Sequence, residues 1–260
     1  MTRTSTWKKK LLIAMLAAIV LSSPGAGSAQ DLAAKIEWIG LGYLTMEKQP
    51  GLGVITSGSE PRLSLVEGDP VYVRLRSRLP SGVKEFAVFR FAGEVRHPRS
   101  KKPLGRLVAG IGIIEIQEEN FPHAKGVILR SLAEVSPGDW IAPLELPSQP
   151  LAQWEARRSS KKISGMIVAL RGNRLGVGEE DIVYLDVGNQ QGVSAGDRFY
   201  VYGAREGSAE RPASKITGQE KQILAELVVL STQAGSSTAR IVKSLSELTV
   251  GGVVESTAGP

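Results

Sequence analysis

The chain has 260 residues, with 32 Lys+Arg against 26 Asp+Glu, 29 glycines, 14 prolines and no cysteine. The absence of cysteine excludes a disulfide framework, and two histidines alone exclude the usual Cys/His zinc sets. Four of the positive charges stand in the first ten residues, which leaves 28 Lys+Arg against 26 acids, a near balance that argues against a nucleic-acid partner.

The chain opens with Arg3, Lys8, Lys9 and Lys10, followed by an uncharged apolar run from Leu11 to Leu21 and a small-residue stretch from Ser22 to Ala29. This three-part layout predicts a cleavable signal peptide over residues 1–29, with cleavage after Ala29 and Gln30 as the first mature residue. The apolar run is shorter than the about 20 residues that a membrane-spanning helix needs. No cysteine follows it to carry a lipid, and no later stretch is apolar enough to span a bilayer. A periplasmic or secreted protein with no transmembrane span after cleavage is expected. Residues 30–52 form a leader in which Ile36, Trp38, Ile39, Leu41 and Tyr43 are expected to pack on the unit that follows, with helical turns over Leu32–Ile39.

Sliding the chain on itself by 112 residues superposes Gly53–Val73 on Gly165–Leu185 without a gap. Gly53, Ile55, Arg62, Leu63, Glu67, Asp69, Val71 and Tyr72 meet Gly165, Ile167, Arg174, Leu175, Glu179, Asp181, Val183 and Tyr184. At an offset of 113, Gly126–Ile141 meets Ala239–Val254, with Ser131, Leu132, Glu134 and Gly138 on Ser244, Leu245, Glu247 and Gly251. Two blocks in the same order predict an internal duplication, with unit 1 over 53–142 and unit 2 over 163–256. Residues 143–162 hold three prolines and a charged run and form the expected linker, with helical turns over Gln153–Arg158.

Each unit is expected to be a small β-barrel or sandwich, giving a mainly β protein. In unit 2, strands are predicted at Met166–Leu170, Ile182–Val187, Phe199–Tyr202, Leu224–Leu230, Ser237–Val242 and Val250–Val254, from β-branched and aromatic runs bounded by turn residues. Arg205–Lys221 is polar, with no apolar period, and is expected to leave the barrel as a flexible excursion. The matching part of unit 1, around Gly93–Pro103, is also basic and turn-rich. Helical turns are expected at Leu132–Val135 as well. Tyr72 and Tyr184 hold matched positions and are expected in the core or its margin.

The Gly-Asp pairs Gly68-Asp69, Gly138-Asp139 and Gly196-Asp197 each precede a strand. Glycine supplies the positive φ that a tight turn needs, and aspartate can accept from the turn's amides. They are therefore taken as structural positions, together with Asp181 and Gly251; Gly252 replaces the aspartate in the last of these turns. His97 and His123 sit beside prolines with no zinc spacing. Asp181 and Asp186 lie an odd step apart and point to opposite faces of a strand. No glycine-flanked nucleophile and no phosphate-cradling loop is found. The expectation is a protein with no catalytic residue, no metal and no cofactor.

The run Ile182-Val183-Tyr184-Leu185-Asp186-Val187-Gly188, then Gln191-Gly192-Val193, Gly196-Asp197-Arg198-Phe199, Leu227-Val228-Val229-Leu230 and Ser237-Thr238-Ala239-Arg240-Ile241-Val242, resembles the C-terminal region of bacterial LysM-domain envelope proteins. More distantly it is similar to the C-terminal domain of the flagellar assembly protein T. The patterns at Gly68–Val73, Phe86–Arg90, Val95–Pro98 and Leu104–Leu107 resemble the preceding region of the same LysM proteins. No LysM motif stands in residues 30–52, so glycan binding through one does not carry over. The signal peptide, the tandem β units and the lack of a site predict a non-catalytic scaffold or adaptor near the cell wall, with peptidoglycan or an envelope protein as partner. The resemblance implies, as the alternative, an assembly role in a surface machine such as the flagellar base. Hydrolysis of wall polymer is a third reading, open because carboxylates alone can carry it.

Overall fold

The computed structural model describes residues 25–48, 51–56, 64–146, 157, 159, 161–203 and 222–256. Residues 1–24 of the expected signal, Arg62, Leu63, Trp154, most of the linker turns and the Arg205–Lys221 excursion lie outside the described residues.

Two closed barrels of six antiparallel strands make up the fold, as the alternation of β-branched runs and turns implies. A helix, α1 (Gly25–Ile39), and a short strand, β1 (Tyr43–Thr45), precede the first barrel. That barrel comprises β2 (Gly53–Thr56), β3 (Pro70–Leu75), β4 (Glu85–Arg96), β5 (Pro103–Asn120), β6 (His123–Ser131) and β7 (Trp140–Pro143). The second comprises β8 (Ser164–Leu170), β9 (Ile182–Leu185), β10 (Arg198–Gly203), β11 (Gln222–Thr232), β12 (Ser237–Ser244) and β13 (Val253–Ser256).

The first barrel runs β5-β4-β7-β2-β3-β6 and closes through β5–β6, with β1 added to β5. The second runs β11-β10-β13-β8-β9-β12 and closes through β11–β12. Numbered within each unit, both follow the same circular order 1-2-5-4-3-6. Closure leaves neither sheet with a long open edge, which removes the usual route to edge-to-edge pairing.

Alternation along the strands sends one set of side chains inward. Val71, Val73, Phe86, Val88, Ile114 and Ile128 fill the first barrel; Val183, Leu185, Phe199, Val201, Leu227 and Ile241 fill the second. The two phenylalanines hold matched places, and both are completely buried. Each such apolar side chain contributes about 1.5–3 kcal/mol on burial.

Outside the first barrel, α1 lays Leu32, Ile36 and Ile39, spaced at three to four residues, on Ala87, Phe89, Val108, Ile113 and Trp140. Lys35 on the same face reaches Glu85 (Nζ to Oε2, 2.7 Å) and also pairs with Asp31. Gly110 on β5 permits this contact, since an added Cβ would stand 2.1 Å from the Ile39 carbonyl oxygen.

Several boundaries differ from the sequence pattern: the strand expected over Ile182–Val187 ends at Leu185, and those expected over Leu224–Leu230 and Ser237–Val242 extend to Gln222–Thr232 and Ser237–Ser244. Leu132–Val135 bends rather than turning helically, because Val135 pairs with Leu65 through two reciprocal backbone bonds of 2.8 and 2.9 Å. The last strand starts at Val253, three residues late, because Thr249–Gly252 is a turn.

Candidate functional site: the turns and the seam between the barrels

Five turns share one construction. In Val66–Asp69, Ser136–Asp139, Gly178–Asp181, Ser194–Asp197 and Thr249–Gly252, the fourth residue's amide donates to the first residue's carbonyl at 3.0, 3.1, 3.2, 3.1 and 3.3 Å. The third residue has a positive φ: Gly68 at 84°, Gly138 at 99°, Glu180 at 65°, Gly196 at 89° and Gly251 at 101°. These are type II turns, and four of the five place glycine where the left-handed region is required. That third residue's amide then donates to Ile128, Ile55, Ile241, Val229 or Ile167 on a neighbouring strand, pinning the turn to the barrel wall.

In the first four turns the aspartate Oδ2 accepts the first residue's amide, at 3.0 Å for Asp69, 2.8 Å for Asp139, 3.1 Å for Asp181 and 2.8 Å for Asp197. Three of these carboxylates take a guanidinium on Oδ1. Arg90 Nε lies 2.6 Å from Asp139, Arg157 Nε 3.0 Å from Asp197, and Arg174 Nη1 2.7 Å from Asp181. Arg90 also reaches Oδ2 of Asp139 (2.7 Å) and the Glu134 carbonyl (2.9 Å). This hydrogen bonding to Asp139 raises the Arg90 guanidinium further above its ordinary value. The aspartates of the duplicated pattern thus sit on separate turns, each with a local partner.

The matched tyrosines both project from the outer face, not into the barrel. Tyr72 is half-buried, whereas Tyr184 is 2% exposed because the first barrel and the leader cover it. Around Tyr184, Leu41 and Leu44 of the leader and Val95 and Leu107 of the β4–β5 arm meet Val168, Ala169, Ile182 and Leu230 of the second barrel. Of the leader residues, Ile36, Ile39 and Tyr43 lie against the first barrel, while Leu41 enters this seam. Tyr184 is thus a core residue, but of the seam and not of its own barrel, and Tyr72 lies at the margin: duplication preserved the strand face, and docking changed the surroundings of one copy.

Two hydroxyls read the leader backbone. Tyr184 Oη donates to the Leu41 carbonyl at 2.8 Å, and Thr238 Oγ1 donates to the Gly42 carbonyl at 3.0 Å. Burial pushes the Tyr184 hydroxyl up to about 12. Gly42 is required between them: its φ is +65°, and a Cβ would stand 2.5 Å from the Val108 oxygen and 2.8 Å from the Tyr184 hydroxyl.

A polar latch completes the seam. His97, at the tip of the β4–β5 arm, places Nε2 3.1 Å from Asp186 Oδ2. Its Nδ1 accepts the amides of Arg99 (3.1 Å) and Ser100 (3.2 Å), so the proton on Nε2 faces the carboxylate. Asp186 Oδ1 accepts the Met166 amide at 2.6 Å. Asp181 and Asp186 therefore serve different neighbours. His123 sits at the start of β6, opposite Arg74.

Two clefts flank the leader beside the seam. One, of about 360 Å³, is lined by Trp38, Tyr43, Phe89, Pro143, Glu145 and Gln233. The other, of about 420 Å³, is lined by Met46, Glu47, Leu104, Asp186, Gln233 and Ser236. Burial pushes the Tyr43 hydroxyl up to about 12, with the charge of Glu47 adding to the effect. Among the described residues no group of three or more His, Asp or Glu side chains is arranged to hold a metal ion, and no helix is long and apolar enough to cross a membrane.

Sequence reasoning missed Tyr184 and Asp186 as seam residues, although a signal was present. Ile182-Val183-Tyr184-Leu185 is apolar on both faces, whereas Pro70-Val71-Tyr72-Val73-Arg74 alternates. A strand apolar on both faces is covered on both faces. The fold and seam define a class: a tandem two-barrel module whose second barrel is docked onto the leader of the first. No protein-family model matches the chain, and no curated protein matches it.

Proposed function

We propose that this chain is a non-catalytic exported envelope protein, acting as a scaffold or adaptor near the cell wall. One observation carries the reading: the aspartates that recur in the duplicated pattern, and the polar pair at the seam, serve the fold. Asp69, Asp139, Asp181 and Asp197 hold turns, and His97 and Asp186 join the barrels. The acid lining the larger cleft beside Glu47 is Asp186, whose two oxygens already bond the Met166 amide and His97, which disfavours a hydrolytic pair there. The basic-apolar-small start of the sequence supports export to the periplasm, and the resemblance to LysM-protein regions supports a wall-proximal partner.

The test is co-sedimentation of the purified protein with isolated peptidoglycan, alongside pull-down from an envelope extract. Saturable retention by one of them is expected. Failure of both overturns the proposal.

A further inference from the structure

The seam shows what one barrel face can hold, and the duplication puts a matched face on the other barrel. On the second barrel, the outer face of β8, β9 and β12 sets Tyr184 directly opposite Thr238 on one side and Ala169 on the other. This face receives the extended leader, and its two hydroxyls take successive backbone carbonyls. At the edge, Asp186 takes His97.

On the first barrel, the outer face of β2, β3 and β6 sets Tyr72 directly opposite Lys125 and Thr56. Lys125 matches Thr238 at the offset of 113, so the pair of donors is retained. Arg74 matches Asp186 at the offset of 112, so the charge at the edge is reversed. Arg74 is exposed, with His123 directly opposite, and Tyr72 and Lys125 are half-buried. Among the described residues, the Tyr72 hydroxyl, Arg74 and Lys125 make no side-chain hydrogen bond or ion pair, although Glu118 of β5 stands directly opposite Lys125. The apolar companions of Tyr184 are replaced: Ile182 becomes Pro70, and Thr56 stands where Ala169 faces the tyrosine. The face has kept its donors and lost the grease of a permanent contact.

We propose that the outer face of β2, β3 and β6 docks an extended, acidic segment of a partner polypeptide. Tyr72 and Lys125 donate to neighbouring backbone carbonyls, and Arg74 takes a carboxylate where the second barrel's Asp186 takes an imidazole. Main-chain carbonyls give the contact its affinity, and the acid gives it selectivity. The inference rests on the adaptor reading and names the chemistry of the partner.

The test titrates isotope-labelled protein with two capped synthetic hexapeptides, Glu-Glu-Leu-Gly-Glu-Glu and Lys-Lys-Leu-Gly-Lys-Lys, followed by amide chemical shifts. Saturable shifts are expected with the acidic peptide only, over Val71–Leu75 and Ala124–Val127, with none over Ile182–Leu185. Arg74→Glu weakens binding about tenfold or more, and Tyr72→Phe weakens it about fivefold, the loss of one hydrogen bond. Both substitutions lie outside the core and leave the thermal midpoint in place. Absence of saturable shifts, equal response to both peptides, or an Arg74→Glu variant that binds as well as the parent overturns the assignment. Concentration-dependent self-association that Arg74→Glu abolishes would give the face to a second copy of this chain and overturn the partner segment. If the parent protein is retained by wall or envelope extract and Arg74→Glu is retained equally, this surface fails while the adaptor reading stands.

Discussion

Tyr72 and Tyr184 are the same residue of the same strand in two barrels of the same strand order, yet one is half-buried and the other is sealed to 2% exposure. The difference comes from outside the barrel. The leader of the first unit crosses the second barrel's face, and the β4–β5 arm follows it. Duplication therefore copied a wall and its turns, while the use of each outer face diverged by a few substitutions. Proline, arginine and lysine on one face keep it wet; isoleucine, aspartate and threonine on the other let it close.

Truncating the two tyrosines breaks the comparison most forcefully. Tyr184→Ala removes a buried aromatic and is expected to destabilise by about 3–5 kcal/mol, in the range of large-to-small core changes. Tyr72→Ala is expected to cost less than about 1 kcal/mol, as surface changes do. Urea unfolding of both variants measures the pair, and equal losses would show that the two faces are equivalent after all.

The turns give the next largest effect. Asp139→Ala strips the Ser136 amide and the Arg90 guanidinium of their acceptor, for about 2–4 kcal/mol, because the carboxylate is buried though the guanidinium is partly exposed. The fifth turn already lacks this carboxylate, at Gly252, and closes with the longest of the five bonds. An Asp139→Ala variant with an unchanged denaturation midpoint would show the carboxylate to be dispensable in this turn.

Alkaline pH sharpens the comparison further. The Tyr184 hydroxyl is raised in the fold to about 12 from an unfolded value of 10, so the unfolded chain loses its proton first. Stability linked to Tyr184 is therefore intact below pH 10 and falls as pH rises toward 12, by about 2–3 kcal/mol at 1.4 kcal/mol per unit. Tyr184→Phe removes that part of the slope. The Tyr43 hydroxyl is shifted in the same direction, so a smaller alkaline slope persists in Tyr184→Phe. Denaturant midpoints at stepped pH values check this.

The smallest effect has the opposite sign. Glu180 holds the positive φ that its counterpart Gly68 holds at no steric cost. Glu180→Gly is expected to stabilise by up to about 1 kcal/mol, offset in part by a weak exposed contact of Glu180 with Arg240 at 3.9 Å. Thermal unfolding resolves a gain of that size; a loss would mean that the glutamate contributes more than its backbone strain.

Much of this was legible in the sequence. The match of Gly53–Val73 to Gly165–Leu185 carried a strand, a turn and a second strand, and β2–β3 and β8–β9 are those pieces. Glycine before aspartate marked three turns, since few residues accept that φ. Two turns were harder to see. One uses Glu180 in place of glycine, and the other uses Gly252 in place of aspartate, so neither shows the dipeptide. The seam was not legible from the pairing of tyrosines, because a strand's own residues state which face they occupy but not what lies on it. The apolar outer residues Ile182 and Tyr184 signalled cover; that the cover is Leu41 and Gly42, more than a hundred residues away in sequence, is a fact of tertiary folding.

Tyrosine nitration of the folded protein by tetranitromethane, with sites read by mass spectrometry, tests the central asymmetry most directly. The account predicts rapid modification at Tyr72 and protection of Tyr184 until the chain is unfolded. Modification of Tyr184 at the rate of Tyr72 under native conditions would contradict it, because the leader and the first barrel would then not be covering the second.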